Sequence, residues 1–245
     1  MEFIVNSKII ISSTIEDLSD TFAKLIIDGI GKCEGYFYLA LSGGSTPKFI
    51  FEYLVENYKT KINWNKLRLF WGDERCVPPD NADSNYKMAY DSLISKINIP
   101  QENIFRIKGE LKPDEEVKNY SHIISEKVPF HSGFPQFDLI MLGLGEDGHT
   151  ASIFPGNQNL FHVKDICAVT EHPVTKQKRI TITGEVINNT KLIVFLVVGE
   201  NKKNIIDDIL NWKNDFKKFP ASYIDPHNGK LIWLIDKNAG RLLTH

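Results

Sequence analysis

The chain has 245 residues, 42% hydrophobic and 24% charged, with 16 Gly and 11 Pro. That is the composition of a globular fold with a sizeable core, and it excludes disordered, collagen-like and coiled-coil chains. Against 29 Lys plus Arg stand 31 Asp plus Glu, a formal charge of -2, so no overall field draws the protein to nucleic acid or an anionic membrane, and any anionic ligand must be held locally.

Residues 1–18 alternate polar and apolar character and break at Asn6, Ser7 and Lys8, which predicts a short strand pair rather than a signal peptide. Ser13 or Thr14 opens a helix to about Ile30, and a buried strand follows over 36–41. Pro47 marks the first turn of a helix to about Tyr58, before a second strand at 67–71. Asp83 or Ser84 starts a helix to about Ile94, and Pro113 with its acidic followers starts one to about Lys127. Pro129 to Pro135 reads as a loop. Buried strands follow at 137–142, 191–198 and 230–235, with a strand-like run at 179–183 and a helix from Glu200 to about Asn211. Strands alternating with helices predict an α/β fold with a mainly parallel sheet, in one domain over 1–245.

Cys33, Cys76 and Cys167 lack the CxxC spacing of a zinc or redox site and read as reduced thiols. No apolar run approaches the ~18 residues of a membrane span, and the expected location is the cytoplasm.

In open α/β sheets ligands bind beyond the carboxyl ends of strands, and three such segments carry unusual residues. After the first buried strand come Gly43, Gly44, Ser45, Thr46 and Pro47. Paired glycines permit close backbone approach, and a helix N-terminus there presents N–H groups to an anion. A plain turn capped by Ser45 or Thr46 accounts for the same residues. After the second strand come Asp73, Glu74 and Arg75, with Ser84 and Asn85 beyond. Charges following a buried strand either line a polar cleft or form an ion pair at a surface turn. The third segment, Gly143 to Ser152, places His149 in a glycine-rich turn two residues after Asp147. An imidazole there can take a proton from water while the carboxylate fixes its tautomer. The other six histidines, at 122, 131, 162, 172, 227 and 245, lack such surroundings and read as surface or packing residues. Arg179 and Lys202, each near a strand end, suit a phosphate clamp.

Together LALSGGSTP, WGDERCVPPDNADSNY and FDLIMLGLGEDGHTASIFPG, followed by RITIT, VVGENK and PAS, resemble the 6-phosphogluconolactonases from about Ile15 to about Asp236. The resemblance implies a Rossmann-like, mostly parallel central sheet flanked by helices, with a small additional strand and helix excursion. It implies hydrolysis of 6-phospho-D-glucono-1,5-lactone to 6-phosphogluconate without a cofactor; no set of His, Cys and Asp shows metal-ligand spacing, and a monomer or homodimer is expected. His149 then matches the general base, Asp147 its neighbouring carboxylate, and Arg179 and Lys202 the phosphate ligands. Arg75 matches a substrate contact, to phosphate or to the developing oxyanion; Gly43, Gly44, Ser45, Thr46 and Asp73 complete the substrate-binding set. The glucosamine-6-phosphate deaminases of the same fold carry a glutamate five residues after that histidine, where this chain has Phe154. A deaminase or isomerase using Asp73 as carbon base is the alternative within enzymes, and a sugar-phosphate sensor the alternative outside them.

Overall fold

The computed structural model describes residues 7–243. Strand β1 (Ser7–Ser12) leads into helix α1 (Ile15–Lys32), whose N–H at Asp17 is capped by the Thr14 hydroxyl at 3.1 Å. Leu18, Phe22, Ile26 and Ile30 recur at helical spacing on α1 and are all buried, so one stripe of the helix docks on the sheet. Next come β2 (Phe37–Leu41), α2 (Ser45–Tyr58), β3 (Leu67–Trp71), the short β4 (Asp73–Arg75), α3 (Asn85–Ser92) and α4 (Pro113–Lys127). The second half holds the two-residue strands β5 (Phe130–His131) and β6 (Phe134–Pro135), then β7 (Leu139–Gly143), β8 (Cys167–Glu171), β9 (Lys178–Ile182) and α5 (Gly184–Asn188). It closes with β10 (Leu192–Val197), α6 (Lys203–Leu210) and β11 (Lys230–Asp236).

Six strands form one sheet in the order β1-β11-β10-β7-β2-β3, and every pairing in it is parallel. Its central strands are apolar on both faces, as helices on both sides require. Phe195 of β10 and Trp233 of β11 stack with ring centroids 3.9 Å apart. From β2 the chain moves outward to β3, whereas from β7 it moves the other way to β10, so the connections reverse between β2 and β7. That reversal opens a crevice at the carboxyl ends of these two neighbours. The predicted excursion is a three-stranded antiparallel sheet, β4-β9-β8, which lays Arg75 directly opposite Arg179.

Several boundaries differ from expectation. The helix expected to reach Ile94 stops at Ser92, because a separate 3-10 turn starts at Ile94. The helix expected from Glu200 begins as a 3-10 turn over Glu200–Lys202 and becomes α-helical only at Lys203. The 129–135 segment contains the β5–β6 hairpin. The N-terminal half of the expected strand pair, residues 1–6, and His245 lie outside the described residues. The three cysteines are free, and burial pushes the Cys167 thiol up to about 12. Among the described residues no helix is long and apolar enough to cross a membrane.

Candidate active site

A cavity of about 410 Å³ occupies the crevice beyond β2 and β7, within the size range of small-molecule sites. It is lined by the Gly43–Thr46 turn, by Asp73 and Arg75 of β4, by Arg179 of β9, by His149, and by Lys202. Segments distant in the chain therefore converge because each follows a strand of one sheet or belongs to the small sheet packed across its end. Asp147 alone of the predicted set does not line the cavity; it stands behind His149.

The His149 ring is fixed from three directions. Its Nδ1 lies 2.5 Å from Asp147 Oδ1, which also accepts the His149 backbone N–H at 3.1 Å. An ionised carboxylate only accepts, so this contact puts the proton on Nδ1 and leaves Nε2 with its lone pair. Burial pushes the Asp147 carboxyl up, but the hydrogen bond and charge of His149 outweigh it and hold the carboxyl below the ordinary carboxylate range. On another side Phe154, 1% exposed, packs its ring 4.9 Å from the imidazole. Beneath lies Gly145: a Cβ there would fall 2.1 Å from His149 Nδ1 and 2.6 Å from Asp147 Oδ1, so only glycine lets the pair form. The loop itself is pinned by Gly145 N–H to His149 C=O at 2.9 Å and by the Thr150 hydroxyl to Gly143 C=O at 3.0 Å. Ala151, just beyond, is held at φ 49°.

At the start of α2 neither Ser45 nor Thr46 is the cap: Gly44 is, no side chain satisfies the helix start, and the two hydroxyl residues form its first helical positions. The first N–H groups of a helix lack internal partners, so those of Ser45 and Thr46 are available to an anion in the cavity. Close backbone approach at Gly43 is also enforced, since a Cβ there would meet Asn85 Oδ1 at 1.8 Å. Asn85 in turn donates to the Asp73 carbonyl at 2.9 Å.

The ion pair considered for the Asp73-Glu74-Arg75 turn does not form. Strand alternation turns Glu74 away from Asp73 and Arg75, and both acids are buried. Asp73 accepts the Ser152 hydroxyl at 2.5 Å. Glu74 points away and caps α3, accepting N–H groups of Arg75, Asn85 and Tyr86 at 2.7–2.8 Å and the Ser84 hydroxyl at 3.0 Å. Burial still pushes the Glu74 carboxyl above its ordinary range. Among the described residues the Arg75 guanidinium hydrogen-bonds only to the Asp83 carbonyl, at 2.5 Å, and the Nε atoms of both Arg75 and Arg179 are buried without a partner. Burial and the neighbouring Arg75 charge lower the Arg179 pKa, and burial lowers that of Lys202. Among the described residues none of these three cations has a carboxylate within 4.0 Å, although many surface lysines do. Two half-buried guanidiniums side by side and an ammonium, all unpaired, form a site that an anion would relax.

Sequence reasoning missed some lining residues. Glu146 and Asn201, the sequence neighbours of Asp147 and Lys202, also line the cavity and meet at 2.5 Å. His172 reads from sequence as a surface or packing residue; it packs, edge-on to Phe154 with centroids 5.1 Å apart, close to the site. Nothing in its local sequence signals that proximity. Among the described residues no group of three or more His, Cys, Asp or Glu side chains is placed to hold a metal ion.

Residues 13–233 match the family described as glucosamine-6-phosphate isomerases/6-phosphogluconolactonase. Over 207 residues the chain is 42% identical to a 6-phosphogluconolactonase of Haemophilus influenzae, covering 84% of this chain and 87% of that one. Over 245 residues it is 35% identical to a 6-phosphogluconolactonase of Synechocystis, covering 99% and 98%. A solved 6-phosphogluconolactonase from Trypanosoma brucei superposes with a TM-score of 0.89 at 29% identity, covering 99% of this chain and all of that one.

Proposed function

The chain belongs to the glucosamine-6-phosphate isomerase/6-phosphogluconolactonase family, and from that premise we propose that it hydrolyses 6-phospho-D-glucono-1,5-lactone to 6-phosphogluconate. The observation that carries the reading is the His149–Asp147 pair at the edge of a cavity that also holds three cations without carboxylate partners. A neutral Nε2 takes a proton from water as the oxygen attacks C1. The imidazolium, held by the Asp147 carboxylate, then returns the proton to the departing ring oxygen. General-base help of this kind contributes about 10² to 10⁴-fold, enough for an activated ester once positioning is added.

The phosphate is held by Arg179, Lys202 and the N–H groups of Ser45 and Thr46 at the start of α2. Arg75, paired with Arg179 across the small sheet, brings a further positive charge to the reacting end, where the carbonyl oxygen becomes an oxyanion. Asp73, held by Ser152, borders the substrate.

Phe154 favours hydrolysis over deamination, because a ring buried against His149 cannot carry a proton where the resemblance places a glutamate in the deaminases. The direct test follows lactone disappearance above its spontaneous rate, with glucosamine 6-phosphate assayed in parallel. Lactone turnover without ammonia release is expected. Ammonia release without lactonase activity overturns the proposal, and binding without turnover of either would favour a sensor.

A further inference from the structure

The tip of the β8–β9 hairpin is built around His172, a side chain that the proposed reaction leaves unused. Glu171 and Lys178 face each other across the two strands, and between them the chain turns over residues 172–177. The His172 N–H donates to the Gln177 carbonyl at 3.0 Å, and the His172 carbonyl accepts at 3.0 Å from Lys176, itself held at φ 60°. Inside the turn the backbone N–H groups of Val174 and Thr175 both donate to His172 Nδ1, at 3.2 and 3.1 Å. A backbone N–H can only donate, so Nδ1 carries the lone pair and the ring proton sits on Nε2. An imidazolium has no acceptor and could not hold this turn. The ring thus plays the part that Asn, Asp or Ser side chains play in tight turns.

Two paths lead from His172 to the candidate active site. Its ring stands edge-on to Phe154 at 5.1 Å, and the same Phe154 ring meets His149 at 4.9 Å and the Arg179 guanidinium at 5.7 Å. From the turn itself, the Gln177 amide accepts from Arg179 at 3.4 Å and donates to the Asp83 carboxylate at 3.2 Å, while the Asp83 carbonyl accepts from Arg75. The surroundings favour a neutral ring: burial, then the charges of Arg179 and His149, and that of Arg75, push the His172 pKa below the ordinary histidine value, with Asp147 acting the other way. Glu171, next in sequence, is engaged by Lys176 and Lys178.

We propose that His172 is a positioning residue for the hydrolysis: its neutral imidazole fixes the turn that carries Gln177 and Arg179 and backs the ring against which His149 rests, and protonation releases both. The role rests on the lactonase reading, whereas the dependence of the turn on a neutral ring does not.

The ring is read first, in long-range ¹H–¹⁵N spectra of labelled protein titrated with acid from about pH 8. The Nε2–H tautomer is expected at the start, and the Val174 and Thr175 amide resonances should move with the His172 midpoint. An Nδ1–H tautomer, or amides that stay put through that midpoint, overturns the proposal whatever the protein catalyses. The second measurement is kcat/KM for lactone loss, which reports the free enzyme, in wild type and His172→Asn down to about one pH unit below that midpoint. Asparagine sets Oδ1 where the imidazole has Nδ1 and accepts the same N–H groups, but it neither titrates nor backs Phe154. The missing ring lowers the variant by a constant factor, and protons taken up by His149 or by the substrate phosphate act on both proteins alike. The ratio of variant to wild type therefore isolates His172: it should be flat near pH 8 and rise about tenfold at one unit below the midpoint. A flat ratio with full wild-type turnover overturns the positioning role alone. So does a falling ratio, since an imidazolium acting only as one more cation would favour the anionic substrate. Wild type without lactone turnover overturns the lactonase reading and the positioning role with it.

Discussion

Replacing Gly145 by alanine tests the proposed catalytic role of the His149–Asp147 pair without replacing either member. The new Cβ would sit 2.1 Å from His149 Nδ1 and 2.4 Å from Cε1, where ordinary packing needs about 3.5 Å, so the imidazole must retreat by about 1.4 Å or the loop must open. Retreat is blocked by Phe154, itself fully packed, and the same Cβ crowds Asp147 Oδ1 at 2.6 Å, so the 2.5 Å contact cannot survive. Misplacing a catalytic group by about 1 Å costs on the order of 10²-fold in rate, about 2.7 kcal/mol of barrier. Gly145 is not at positive φ, so alanine introduces no backbone strain and the fold should persist. Initial rates of lactone loss, corrected for spontaneous hydrolysis, should show kcat down about 10²-fold with KM within about threefold, because the cations lie elsewhere. A folded Gly145→Ala protein with kcat within twofold of wild type would refute the placement of His149 as the base.

Asp147→Asn leaves the shape but removes the acceptor that selects the tautomer, and kcat should fall by about 10² to 10⁴-fold while KM holds, measured in the same assay. The Asp147 carboxyl is held below its ordinary range in the folded state, so its contribution to stability is fully present above the ordinary carboxylate pKa. That contribution fades as pH falls through the lowered value. The melting-temperature gap between wild type and Asp147→Asn should therefore close on acidification, and a gap that widens below pH 4 would contradict the pairing. Arg179→Ala should raise KM by about tenfold or more, the worth of a charge-assisted contact, with an unchanged KM as the refuting result. Asn85 and Tyr86 donate to separate oxygens of Glu74, so Glu74→Gln sets an amide NH2 against one of these N–H groups whichever way it turns and should destabilise the fold by about 2 kcal/mol in denaturant titration.

The strands of the large sheet were legible because parallel strands buried on both faces read as short apolar runs, and those at 67–71 and 230–235 match within a residue. Pro113 with three acids after it marked the start of α4 correctly, since both features suit only a first turn. β4 and β8 escaped because three- and five-residue strands of a small sheet carry mixed side chains and little period. The same holds for their consequence, the opposition of Arg75 and Arg179, which depends on a register no local pattern encodes. Likewise Phe154 was notable in sequence only for the glutamate it is not. That it walls His149 on one side and meets His172 on another is a product of tertiary packing.

The near-zero net charge and the cationic cavity are reconciled by how the acids beside Arg75 are occupied. Asp73 and Arg75 share a face of β4, and left to themselves would pair at the cavity wall. Instead the Ser152 hydroxyl holds Asp73 from the His149 loop, and Glu74, on the far face, accepts from three donors at the head of α3. The carboxylates next to the arginine in sequence are thus engaged by hydroxyl and backbone donors, which satisfy them without neutralising a guanidinium. Because the same hydroxyl comes three residues after His149, the contact that withholds Asp73 from the arginines also ties the His149 loop to the strand that carries Arg75. A protein of charge -2 can in this way present unpaired cations to one dianion while keeping its summed field weak.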